Sequence, residues 1–198
     1  MARPRNADIE DSALYKIDAA FWRLLESMDF SLITMKLLAQ EAGINRNSLY
    51  YHFANMQEVA AAAFNNVVCD EISNLFIDSL LLLPESIEGN WEQMQLPERI
   101  RKIHLFAKSE SPLLRSLLKG SLTARWFQKL HIRSEALSPL DKMQIDYIVN
   151  GFIGLIGNES IAQDYRLLAA FPKSPIGRAA IQTLLQLPGR QNSIVQYS

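Results

Sequence analysis

The chain has 198 residues, of which 48% are hydrophobic and 21% charged, the composition of an ordinary soluble globular protein, and its formal net charge of −1 by itself argues for no partner. A single cysteine, Cys69, excludes an intramolecular disulfide framework and a thiolate metal cluster, and it fits a reducing, cytoplasmic setting. The opening MARPRN is too short and polar for an export signal, and no stretch reaches the roughly 18 apolar residues of a membrane span, so no membrane partner is expected.

In chain order the apolar residues keep helical spacing almost everywhere. Sustained period-2 alternation is missing, and no turn dipeptide stands between two strand-like runs. Leu14, Ile17, Phe21, Leu24, Leu25 and Met28 predict an amphipathic helix over 11–28. Thr34 can N-cap a second helix over 35–42, which Gly43 ends, and Asn45 can N-cap a third over 46–53. From Val59 through Leu80 a long fourth helix runs toward Pro84, and 84–97 has the composition of a loop. Three Ser-Pro pairs, Ser111-Pro112, Ser138-Pro139 and Ser174-Pro175, each combine an N-cap with a proline suited to the first helical position. They place helices at 97–109, 111–119, 121–136, 139–159 and 175–187. The expectation is an all-α fold of nine helices.

The third helix is too short to be justified by packing alone. Leu38, Ala39, Ala42, Ile44, Leu49 and Phe53 can lock the pair against helix 11–28, with Gly43 at the turn. Asn45, Arg46, Asn47, Ser48, Tyr51 and His52 then remain outward, a polar face suited to entering a DNA major groove.

The stretch TMKLLAQEAGINRNSLYYHF, within 19–59, resembles the DNA-binding domain of TetR/AcrR-type transcriptional regulators. The resemblance covers the first third of the chain. It implies that Thr34, Lys36, Ser48, Tyr50 and His52 grip phosphates while Arg46, Asn47 and Tyr51 face base edges. The side chains suit those roles: Arg can be bidentate to guanine, Asn to adenine, and an aromatic can rest on a thymine methyl. Arg46 has a plainer alternative in an ion pair with Glu41. Many relatives carry lysine where this chain has Met56. The arm bearing Arg3 and Arg5 can supply further phosphate contacts.

Beyond residue 56 the sequence offers two further patterns. Helix 139–159 carries Gly151, Gly154 and Gly157 beside Ile148, Phe152 and Leu155, a thin face that lets another helix approach. The glycines have neither the spacing nor the preceding strand of a dinucleotide fingerprint. The last helix adds Ile176, Ala180, Ile181 and Leu184, and the two together can form half of an intersubunit four-helix bundle. The family resemblance implies the same homodimer. Phe64, Val68, Trp91, Phe106, Trp126, Phe127 and Tyr147, with His104, His131 and Asn150 as polar anchors, are candidates to line a pocket for a small-molecule effector. None of the three histidines has metal-ligand spacing, and no Gly-x-Ser-x-Gly nucleophile motif occurs, so neither metal, cofactor nor enzymatic activity is expected.

Charge is unevenly spread: residues 1–56 hold 6 Lys/Arg and 7 Asp/Glu, 57–96 none and 7, and 97–198 14 and 7. Either helices of opposite sign lie side by side, or a basic surface between Arg99 and Arg133 receives an anionic ligand. The expectation is a helix-turn-helix domain over 1–56 and a ligand-binding, dimerising domain over 57–198. Together they would act as a repressor released from palindromic double-stranded DNA by a small molecule. The alternative is a small-molecule binding protein of the same fold with weak or lost operator binding.

Overall fold

Local capping chemistry and apolar stripes organise the chain into helices, seen in a computed structural model that describes residues 6–68, 96–164 and 166–188. Among the described residues every α- or 3-10 element is helical and no strand occurs. No helix is long and apolar enough there to cross a membrane, and no group of three or more His, Cys, Asp or Glu could hold a metal ion. The chain divides into two compact units. One comprises 6–68 with 109–117, and the other 96–108 with the described residues from 118 onward.

The first unit is built on α1 (Asn6–Ser27), which begins five residues ahead of its expected start at 11. Of its predicted stripe Ile17, Phe21, Leu24 and Leu25 are buried, joined by Ala20, while Leu14 is exposed and Met28 half-buried. Each large apolar side chain so buried contributes roughly 2 kcal/mol. Phe21 meets Trp22 and Phe30 edge-on, with ring centroids 5.4 and 6.4 Å away. A 3-10 turn at Phe30–Leu32 then leads through buried Ile33 into α2 (Met35–Ala42) and α3 (Arg46–His52). Both pack on α1, as does α4 (Met56–Val68). The fourth helix beyond 68, the 84–97 loop as far as 95, Cys69 and the MARPRN arm as far as Arg5 lie outside the described residues.

In the second unit α5 (Leu96–Lys108) packs on α7 (Pro139–Ile156), and a buried His104 places Nδ1 2.8 Å from the Ile156 carbonyl oxygen. All three Ser-Pro starts hold. Ser138 forms a full capping box with Asp141, Ser174 accepts from the Gly177 amide at 3.0 Å, and Ser111 accepts weakly from Leu114 at 3.5 Å. The expected pair 111–119 and 121–136 is instead one helix, α6 (Pro112–Lys129). A mid-helix glycine costs about 1 kcal/mol relative to alanine, too little to stop a helix whose Leu114, Leu118, Leu122 and Trp126 are all buried on one stripe. The helix stops at His131, which adopts the left-handed conformation (φ 52) while the Ile132 amide reaches back to the Phe127 carbonyl at 2.9 Å.

Helix 139–159 also ends early, at Ile156. Gly157 caps it, and a Cβ there would meet the Ala107 backbone at 3.0 Å, so this glycine serves close packing against α5. Two short helices follow, α8 (Glu159–Gln163) and α9 (Arg166–Ala170), which the apolar spacing does not predict. A 3-10 turn at Phe171–Lys173 leads into α10 (Pro175–Leu185), which packs on α7.

Candidate nucleic-acid interface

The turn between α2 and α3 is set by backbone chemistry. Thr34 caps α2, its side chain accepting from the Leu37 amide at 3.2 Å. Gly43 adopts φ 65, ψ 33, and the Ile44 amide bonds back to the Ala39 carbonyl at 3.0 Å, which closes the helix with a Schellman-type stop. Two residues later Asn45 accepts from the Asn47 amide at 2.9 Å and starts α3. Two helices are therefore joined by a connection with both ends hydrogen-bonded, which fixes the direction in which the second one points.

α3 buries one residue, Leu49, which is fully enclosed. Ile44 and Phe53, expected to lock the pair, are half-buried at its two ends. Arg46, Asn47, Tyr50 and Tyr51 are exposed, Tyr51 to 78%, and Ser48 and His52 are half-buried. Thr34 and Lys36 are exposed at the start of α2. All eight residues assigned to DNA contact thus lie at the surface of one unit, on or beside two successive helices. The Arg46 guanidinium sits 5.9 Å from the centre of the Tyr50 ring, within cation–π range, and Tyr51 and His52 meet edge-on at 5.1 Å. Among the described residues Arg46 does not pair with Glu41. That carboxylate is held by Arg23 of α1, whose Nε lies 2.7 Å from Glu41 Oε1.

Two supports escaped the sequence reading. The first is the Arg23–Glu41 pair, which ties the end of α2 to α1; nothing in the spacing of residues 18 apart announces it. The second is Asn55, whose side chain accepts from the Glu58 amide at 2.9 Å while Glu58 accepts from the Ala54 amide at 2.8 Å. The Asn-x-x-Glu spacing was a visible signal of this cap. Met56 follows it as the first residue of α4, with its side chain half-buried.

The residues expected around an effector are distributed as follows. Phe64 is buried in the first unit, while Trp91 and the side chain of Val68 lie outside the described residues. In the second unit His104, Phe106 and Trp126 are buried and Phe127 is half-buried. Trp126 meets Phe152 edge-on at 5.2 Å, and Phe152 meets Phe171 at 5.1 Å. His131, Tyr147 and Asn150 face outward: Tyr147 is 83% exposed, and Asn150 donates to its neighbour Asp146. The structure therefore buries His104, Phe106 and Trp126 and leaves His131, Tyr147 and Asn150 on the surface.

The residues expected at a dimer interface also divide. Phe152 and Leu184 are buried within the chain, and Ile148, Leu155, Ala180 and Ile181 are half-buried. Gly151, Gly154 and Ile176 are exposed, and a Cβ at either glycine would meet nothing within 4 Å. Leu140, Met143 and Tyr147 extend the glycines' exposed side along α7.

Residues 17–63 match the profile of a family described as bacterial regulatory proteins, tetR family, and the match spans α1 from Ile17, both helices of the turn and the first half of α4. Among curated proteins none matches the chain. The matched segment, about a quarter of the chain, coincides with the capped helix-turn-helix and its exposed polar face; it is similar to the DNA-binding domain of the tetR family and supports a DNA-binding transcriptional regulator.

Proposed function

We propose that the chain acts as a cytoplasmic homodimeric repressor whose hold on a palindromic operator is released by a small-molecule effector. The observation that carries this reading is the division of α3, with Leu49 alone buried and Arg46, Asn47 and Tyr51 outward on a helix capped at its start. In this role Arg46, Asn47 and Tyr51 read base edges, and Thr34, Lys36, Ser48, Tyr50 and His52 fix the register on phosphates. Stacking on Tyr50 limits the rotamers of Arg46 before it meets a base, which lowers the entropy lost on contact.

One helix-turn-helix reads one half-site, so a two-fold partner is needed for a palindrome. The exposed line Leu140, Met143, Tyr147, Gly151 and Gly154 on α7, with Ile176 on α10, supports a second copy packing there. For the effector, Trp126 supports a site in the second unit: its indole N–H is buried and has no hydrogen-bond partner among the described residues. Buried donors left unpaired are uncommon, and an effector's acceptor atom would satisfy this one. An effector that binds better to the form unable to span both half-sites shifts the population toward it, with no chemistry performed.

The test is a gel shift with the palindromic DNA upstream of the chain's own gene. Arg46→Ala combined with Tyr51→Ala should abolish the shift, while light scattering still gives a dimer mass. A shift that survives both changes removes α3 from the reading role. Met56, half-buried where relatives carry lysine, favours a second reading in which an effector is bound but DNA is not. That reading is distinguished by a small molecule that raises the melting temperature of a protein that retards no palindrome.

A further inference from the structure

Although α4 packs on α1, the two leave an opening along part of their seam. Leu14, Ile17 and Asp18 follow one face of α1, and Ala62, Ala63 and Asn66 follow one face of α4. Between them lies an open cleft of about 270 Å³. Phe53, which caps the end of α3, forms part of its wall. The volume follows from the sequence: two alanines stand on the α4 face where larger side chains would fill the seam. An apolar cavity of about 150 Å³ is already large enough to hold benzene. This cleft therefore has room for a body of one or two rings.

Its wall is apolar and its charge is of one sign. The half-buried Asp18 accepts from Asn66 Nδ2 at 3.2 Å, and no basic side chain pairs with it among the described residues. A carboxylate offers about four lone-pair directions, so this bond leaves room for a second donor. A partly desolvated carboxylate without a cation beside it favours a positively charged ligand over a neutral one of the same shape.

We propose that this cleft within the DNA-binding unit is a binding site for a small lipophilic cation. Its rings occupy the space against Leu14, Ile17, Phe53 and Ala62, and its ammonium group donates to the Asp18 carboxylate. The site lies wholly in the first unit, and its existence does not depend on how the second unit binds an effector.

The experiment titrates the full chain with 1-naphthylmethylammonium and with its neutral counterpart, 1-naphthalenemethanol, followed by ligand-observed NMR. The cation should bind about fivefold more tightly than the alcohol at low salt, the size expected of one half-exposed ion pair. Asp18→Asn should make the two ligands equal. Ala62→Leu, which fills the cleft from a half-buried position, should weaken both by about tenfold without lowering the melting temperature. The proposal is overturned if the two ligands bind equally to the parent protein, or if the preference survives Asp18→Asn. It is also overturned if a folded Ala62→Leu binds as the parent does, because the ligand then sits elsewhere. Should Ala62→Leu fail to fold, the Asp18→Asn comparison decides alone.

Discussion

Gly43 holds φ 65 at the one point where the chain must reverse between α2 and α3, and nothing lies within 4 Å of the place a Cβ would take. Any cost of a side chain there comes from the backbone conformation and not from a clash. Gly43→Ala should therefore destabilise the protein by about 1–2 kcal/mol, measured by urea unfolding, while leaving the α2 and α3 sequences intact. This residue and its neighbours were legible because turn and cap chemistry act over three or four positions. Tyr147, Asn150 and His131 were not legible in the same way. α7 carries apolar residues on both sides, Ile145, Val149 and Phe152 inward and Leu140, Met143 and Tyr147 outward. Periodicity finds a stripe on such a helix without saying which stripe faces the core. His131 had no signal at all, since a left-handed histidine is a stop usually supplied by glycine or asparagine.

At the three Ser-Pro pairs helix starts were read more accurately than helix ends. Ser111, Ser138 and Ser174 open their helices where the Ser-Pro pairs place them, because an N-cap and a proline at the next position act on the adjacent turn alone. The break expected at Gly120 does not occur. α6 continues through it, Gly120 is exposed, and no atom lies within 4 Å of an added Cβ. Gly120→Ala should therefore stabilise the protein by about 1 kcal/mol, seen as a higher denaturation midpoint with an unchanged slope. A loss of stability would mean that the helix is strained or broken there after all. Gly177 marks the opposite limit: a Cβ would come within 2.1 Å of the Phe171 carbonyl oxygen, so α10 docks on the preceding turn only with glycine at that position.

For the whole molecule, charge sets the terms on which DNA is met. The first 56 residues hold 6 Lys/Arg against 7 Asp/Glu, and Arg23 is engaged by Glu41, so counterion release must come from few side chains. If a dimer neutralises phosphates only through Lys36 of each copy, the logarithm of operator affinity should fall with the logarithm of salt at a slope of about −2; if Arg3 and Arg5 join it, about −5. Filter binding across a salt series separates the two, and a flat response contradicts both. The DNA-binding unit was legible because many positions of one short pattern agree. The second unit was legible only as helices, since the partners of each apolar stripe there are set by contacts distant in sequence, such as Trp126 with Phe152. The single anchor of α3 carries a last consequence. With Leu49 alone buried, the outward residues of that helix can be exchanged with little penalty to the fold. Evolution, or a designer, can therefore rewrite which sequence is recognised while keeping the scaffold that presents it.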